Sequence, residues 1–275
     1  MNNIFDTDLL LNNSCEYTFC EEFNLQFSKY NSKLSLLHLN ARSLNKNFDA
    51  LQILLSSLNF TFDVIAVTET WFNSSTNIDM YDLQEYSLIS KCRTSKSGGG
   101  VALYLKNNLI YNILHDFTCS ESNYEMMFIE ITTKPKPIIV ACIYRPPDSD
   151  ISCFNEKMQN VLEMLESEQK DIYILGEFNI NLLNYGIHNK TNDFLDTMFS
   201  FNLYPLITKP TRITENKASL IDNIFTNTIQ EEKHTGLIYS DLSDHFPVFS
   251  MANELNVHVK PVTKYIKNVL LMTHQ

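Results

Sequence analysis

Ten short runs of apolar, β-branched or aromatic residues lie at 34–39, 62–68, 86–90, 101–105, 126–131, 138–144, 172–175, 220–225, 237–239 and 248–251, with no Pro/Gly-rich break between them. Runs of this length and composition read as buried strands. About ten strands exceed what one twisted sheet holds comfortably, so they call for two packed sheets. Between some runs the period changes to that of a helix. Phe48, Leu51, Leu54, Leu55 and Leu58 share one helical face,. So do Phe154, Met158, Val161, Leu162 and Leu165, with Ser152 as the expected N-cap, and Phe194, Leu195, Met198 and Phe199,. Two pairs of runs have no helix between them and read as hairpins. One joins 86–90 to 101–105 through Gly98-Gly99-Gly100, and the other joins 126–131 to 138–144 through Thr133-Lys134-Pro135-Lys136-Pro137,. Hairpins mixed with helices predict an α/β fold with two mixed sheets flanked by helices, not a doubly wound parallel sheet.

At 275 residues, with 44% apolar and 19% charged residues, the chain can bury a large core, and wholesale disorder is excluded,. One domain is expected over 34–252, after a poorly ordered or short-helical lead-in at 1–33 (with the helix around 20–27) and before a tail at 253–275. No apolar run approaches a bilayer-spanning length, and the first residues lack the pattern of a secretion signal,. Six scattered cysteines without a C-x-x-C pair argue against a zinc knuckle or a disulfide framework,. The expectation is an intracellular monomer. The net charge of −11 argues against a general nucleic-acid binder, because phosphate contacts use Lys and Arg,. A divalent cation at one point would offset that charge locally.

The informative polar residues stand where the apolar runs end. Run 34–39 delivers Asn40, and run 62–68 delivers Glu69. Run 138–144 ends on Tyr144, followed by Arg145-Pro146-Pro147. Run 172–175 leads into Gly176-Glu177-Phe178-Asn179, Ser219-Leu220-Ile221 leads to Asp222, and Ser240–Leu242 leads to Ser243-Asp244-His245. Strand ends on one rim of a sandwich can converge, and a rigid sheet holds such groups to tight tolerance. Oxygen donors without a Cys/His cluster favour a hard cation such as Mg²⁺, with Mn²⁺ as a substitute, over zinc. His38 reads as a core residue, Trp71 as a loop anchor, and the glycine triplet as a hairpin entry rather than a phosphate loop.

The ordered segments LLHLNARSL, FDVIAVTETW, SGGGVALYL, IIVACIYRPPD, DIYILGEFN, SLIDNIF and SDLSDHFPVF resemble the endonuclease/exonuclease/phosphatase superfamily, which includes DNase I, exonuclease III and apurinic endonucleases. YRPP, TETW and SDHFPV resemble most the endonuclease domain of non-LTR (LINE-type) retrotransposons. The resemblance covers about residues 34–250. It implies a four-layer α/β sandwich and Mg²⁺-dependent phosphodiester hydrolysis. By the same resemblance, Glu69 is the principal metal ligand with Asn40 and Asp244 near the metal. His245 is the catalytic histidine, oriented by Asp222, and Asn179 and Tyr144 hold the phosphate. Glu177 occupies the position that positions or deprotonates the attacking water. Arg42, Lys46, Arg145, Lys209 and Arg212 are expected to form a basic lip for the DNA backbone, with Arg145 and Arg212 as substrate contacts.

Three departures qualify the resemblance. Glu177 stands where the family has Asp, which moves the carboxylate about one methylene outward. Arg42 stands two residues after Asn40, where apurinic endonucleases carry an acidic ligand, and this weakens an abasic-site reading. No polymerase region follows His245. The sequence therefore reads as a detached element fragment whose reverse transcriptase acts in trans, and as nuclear if active. Two alternatives stand beside DNA nicking: a phosphatase or phospholipase of the same superfamily, and a catalytically silent remnant.

Overall fold

The computed structural model describes residues 14–93, 98–166, 170–228 and 232–253. Two large sheets are stacked face to face. The first runs β1 (Ser14–Thr18), β15 (Lys233–Ile238), β16 (Val248–Asn253), β2 (Ser32–Asn40), β3 (Val64–Thr68), β5 (Val101–Lys106), β4 (Tyr86–Lys91). The second runs β11 (Tyr204–Pro205), β14 (Asp222–Thr226), β10 (Asp171–Glu177), β9 (Ile138–Tyr144), β8 (Glu125–Ile131), β6 (Tyr111–Ile113), with β7 (Cys119–Ser120) also on β8. A small ribbon, β12 (Arg212–Thr214) and β13 (Lys217–Ser219), stands apart. Both large sheets are mixed. β2 runs parallel to β3 and antiparallel to β16, and β10 runs parallel to β9 and antiparallel to β14. Both expected hairpins are present as the antiparallel pairs β4–β5 and β8–β9.

Side-chain alternation along the strands builds the layers. On β2, β3 and β5, Leu34, Leu36, Val64, Ala66, Val101, Leu103 and Leu105 join the core shared with the second sheet. Their neighbours Leu37, Leu39, Ile65, Val67, Ala102 and Tyr104 join a separate core with helices α1 (Cys20–Phe27) and α2 (Leu44–Ser57). Helices α3 (Ile151–Glu166) and α4 (Asn189–Ser200) pack with the second sheet through Phe154, Met158, Val161, Leu162, Leu165, Phe194, Leu195 and Met198. The result is helix, sheet, sheet, helix. No helix among the described residues is long and apolar enough to cross a membrane.

Two expectations change. The short helix expected around 20–27 is present as α1, but residues 14–33 are part of the sandwich rather than a lead-in to it, because β1 adds a parallel edge strand to β15 and α1 buries Phe23 and Phe27 against the first sheet. The rest of the lead-in and the tail from 254 lie outside the described residues. The cap of α3 is Asp150, not Ser152. Its Oδ1 accepts from the Ser152 N–H at 2.7 Å and the Cys153 N–H at 3.4 Å, and a carboxylate one position before the helix outcompetes a hydroxyl inside it,.

Phe154 meets Phe178 and Phe194 with ring centroids 6.4 and 5.9 Å apart, so α3 is fastened to the loop that follows β10. Because Phe154 is fully buried, Phe154→Ala is expected to cost about 3–5 kcal/mol in urea unfolding. A loss below about 1 kcal/mol would mean that this contact does not hold α3 in place.

Candidate active site

Strand register assembles the site. Asp222 pairs with Glu177 across β14–β10, Glu177 with Tyr144 across β10–β9, and Tyr144 with Glu125 across β9–β8. One transverse row at the end of the second sheet therefore carries three carboxylates and a phenol. The first sheet brings Asn40 at the end of β2, directly across from Thr68, and Glu69 follows at the end of β3. His245 comes from the loop between β15 and β16.

These groups interlock. His245 Nδ1 lies 2.8 Å from Asp222 Oδ2, and the Thr211 hydroxyl donates to the same oxygen at 2.6 Å. Asn40 Nδ2 donates to Glu177 Oε2. Glu177 Oε1 lies 3.9 Å from His245 Nε2, beyond a direct hydrogen bond,. The Tyr144 hydroxyl donates to Glu69 Oε1 at 3.0 Å, and Trp71 Nε1 donates to Glu69 Oε2 at 3.2 Å. Asn40, Glu177, Asp222 and His245 are all buried.

Burial opposes charge on His245, but Asp222, with Glu177 and Asp244, outweighs it and raises the imidazole to about 9,. The imidazolium in turn holds Asp222 below the usual carboxylate range against its burial. Glu177 is pushed up, first by burial and then by the neighbouring Asp222 charge. The Tyr144 phenol is raised by burial and by Glu69. These shifts favour an ionised Asp222 and a charged His245 near neutral pH and let Glu177 keep its proton to higher pH than an ordinary carboxyl. His38, fully buried behind Asn40 with Nε2 3.2 Å from Thr68 Oγ1, is lowered to about 4 by burial and is neutral.

Not every expected residue reaches this cluster. Arg145 is 1% exposed. It donates from Nε to the Phe178 carbonyl at 2.6 Å, from Nη2 to the Asn179 carbonyl at 2.9 Å, and from Nη1 to the Ser149 carbonyl at 2.6 Å. It is therefore a buried brace for the loop after β10 and not a contact on the lip, because its donors are consumed by backbone carbonyls. Asn179, in a left-handed conformation (φ 50°), returns a bond from Nδ2 to the Arg145 carbonyl at 2.8 Å. Asp244 lies between two arginines. Arg42 Nη1 is 2.9 Å from its Oδ1, and Arg212 Nη2 is 2.6 Å from its Oδ2. Lys209 pairs with Glu16, and Lys46 lies 5.7 Å from the centre of the Trp71 ring. Thr211 was not anticipated. Its hydroxyl also accepts from the N–H groups of Ile221 and Asp222 at 3.2 and 3.1 Å, so it fixes Asp222 from both sides, and no local pattern announces it.

Glu177, Asp222 and His245 offer ligand atoms within 4.8 Å of one another, and the buried Asp222 Oδ1 has no hydrogen-bond partner among the described residues. Carboxylate oxygens suit a hard divalent cation only when ionised, so a cation at this cluster would displace the proton that burial favours on Glu177,.

Residues 23–245 match the sequence pattern of the Endonuclease/Exonuclease/phosphatase family. The chain belongs to this family. Its members are metal-dependent hydrolases of phosphodiester bonds. Solved structures share its fold. The endonuclease domain of TRAS1, a telomere-specific non-LTR retrotransposon, is 15% identical with a TM-score of 0.61, covering 80% of this chain and 99% of that one. An AP endonuclease from Leishmania major is 14% identical with a TM-score of 0.67, covering 83% and 90%. A 3′ phosphatase from Neisseria, solved with a product DNA hairpin, is 15% identical with a TM-score of 0.59, covering 80% and 100%. No curated protein matches the chain.

The raised imidazole sets a pH signature. His245 contributes stability that is complete below the ordinary value of 6.5 and is lost as the pH climbs through about 9,. Glu177, also raised, adds a loss of the same sign over its own upward shift,. The melting temperature of the metal-free protein is expected to fall between about pH 6 and about pH 10, and Asp222→Asn is expected to flatten that fall. Parallel curves for the two proteins would show that Asp222 does not set the titration.

Proposed function

We propose that this chain is a divalent-metal-dependent phosphodiesterase that nicks one strand of DNA, as the endonuclease of a non-LTR retrotransposon does. The observation that carries the reading is the bonded chain of strand-end groups: Tyr144 on Glu69, Asn40 on Glu177, and Asp222 on His245 with Glu177 beside its ring. A phosphodiester repels hydroxide and gathers charge in its transition state, and a bound Mg²⁺ or Mn²⁺ supplies charge neutralisation there. Glu69 and Asn40 are the residues to hold it, with Asp244 near the metal in the family pattern.

The protein's own groups supply the rest. Asp222 fixes the imidazole through Nδ1 and keeps it protonated, so His245 Nε2 donates to a phosphoryl oxygen as charge develops,. Glu177, once ionised, accepts a proton from the attacking water through Oε1. The Tyr144 phenol stays protonated and remains a donor. Arg145 and Asn179 hold the loop after β10 in shape through reciprocal bonds. Arg212 and Arg42 face the strand backbone, 39% and 57% exposed at the side chain. A reverse transcriptase acting in trans would use the nick as a primer.

One observation favours a second reading, a catalytically silent relative. The longer Glu177 side chain accepts from the Asn40 amide N–H and its carboxyl is shifted towards the protonated form, which withdraws the base. Supercoiled plasmid with Mg²⁺ separates the readings. The wild-type chain is expected to relax plasmid, and Glu69→Ala to lower the rate by about 10²-fold or more. Glu177→Asp is expected to raise the rate if the extra methylene misplaces the base. Nicking that survives in Glu69→Ala would remove the metal reading. Activity only in Glu177→Asp would make the natural chain a disabled nuclease. Hydrolysis of small phosphoesters without nicking would move the substrate class to a phosphatase.

A further inference from the structure

Two features have no part in the proposed chemistry: the glycine triplet at Gly98–Gly100 and the fourth acid-row residue, Glu125. Glu125 is fully buried at the start of β8, the register partner of Tyr144. It is not a free carboxylate. Its Oε1 takes the Arg93 Nε–H and its Oε2 takes the Gly100 N–H. The Arg93 side chain is 8% exposed, and its guanidinium lies 6.0 Å from the centre of the Tyr144 ring.

The glycine turn passes this anchor on to Glu69. The Trp71 N–H donates to the Gly99 carbonyl at 2.8 Å and the Thr70 N–H to the Gly100 carbonyl at 3.3 Å. On the opposite side, the Ser43 and Leu44 N–H groups hold the carbonyls of Glu69 and Thr70 at 2.9 and 3.0 Å. Glu69 and Trp71 both have positive φ, 54° and 58°, a conformation unfavourable for such side chains that the surroundings must enforce,. The turn fits only as glycine. A Cβ on Gly99 (φ +70°) would stand 2.7 Å from Glu125 Oε1 and 2.8 Å from Arg93 Nη2, and one on Gly100 (φ +90°) would overlap Thr70 Oγ1,.

We propose that the Glu125–Arg93 pair and the turn at Gly98–Gly100 form a clasp that holds the Glu69–Trp71 segment in its strained shape, so that Glu125 is a positioning residue for Glu69. The pair lies in the second sheet and the loop of β4–β5, whereas Glu69 ends a strand of the first sheet. The clasp therefore sets the distance between Glu69 and the Tyr144–Glu177–Asp222 row. The inference rests on the reading that Glu69 holds the divalent ion.

Mn²⁺ is the probe, titrated into the full chain by calorimetry and followed through Trp71, the only tryptophan, whose indole bonds Glu69. Glu125→Gln, Arg93→Gln and Gly99→Ala are each expected to weaken Mn²⁺ binding by about tenfold or more and to shift the Trp71 emission. Arg93→Lys, which keeps the cation, is expected to retain most of the affinity. Thermal midpoints and near-ultraviolet dichroism show whether each variant is folded. Arg93→Gln and Gly99→Ala keep the test open if Glu125→Gln does not fold. Folded variants that bind Mn²⁺ as tightly as the wild type overturn the clasp and leave the metal reading intact. Lost binding with equal loss in Arg93→Lys and a collapsed dichroism signal overturns it in favour of a purely structural role. A wild-type chain that takes up no Mn²⁺ overturns the metal reading and the clasp with it.

Discussion

The bond between His245 Nδ1 and Asp222 Oδ2 is the constraint on which the site depends. Asp222 opens a strand of one sheet, and His245 hangs from a loop of the other. The two meet only if the sheets stack at the right height. That height is set by apolar side chains far from any chemistry, among them Leu36, Ala66 and Leu103 against the residues of β9 and β10. Packing density thus becomes the geometry of the site, since a close-packed core resists sliding. Thr211 adds a lock by binding the carboxylate oxygen together with the backbone of its strand.

The charge of the chain is resolved by how its cations are used. A basic lip was the natural reading of Arg42, Lys46, Arg145, Lys209 and Arg212. Most are committed within the protein: Arg145 to carbonyls, Lys209 to Glu16, and Arg42 and Arg212 to Asp244. With a net charge of −11, carboxylates outnumber partners, and those drawn to the rim need cations from their own chain,. The arginines that remain partly exposed, Arg42 and Arg212, do so while paired with Asp244.

Legibility followed the length over which a pattern repeats. The five apolar positions of α3 at helical spacing are all buried, because sixteen residues give the period room to show. Strands of seven residues such as β9 and β10 were equally visible. β6, β7, β11, β12 and β13, with two or three residues each, carry no period and were missed. At the site, the residues that end long strands could be read from sequence, since the strand points to them. Residues that act on those groups from a distance could not. Glu125 reads as an ordinary strand start, and its partner Arg93 lies 32 positions away, a separation that only the fold closes. Arg145 beside two prolines reads as an exposed loop cation, and the carbonyls that draw it inward belong to a segment 33 or 34 residues later.

The parallel edge strand β1 has a practical meaning for anyone trimming this protein. It covers β15, matching Ser14–Thr18 to residues 234–238 one for one. Cutting the chain at the sequence-based boundary of 34 would strip that cover and leave a six-residue strand with open N–H and C=O groups along the molecule's flank, an invitation to self-association,. The first apolar run is thus the wrong landmark for a minimal fragment, and the workable limit lies upstream of Ser14.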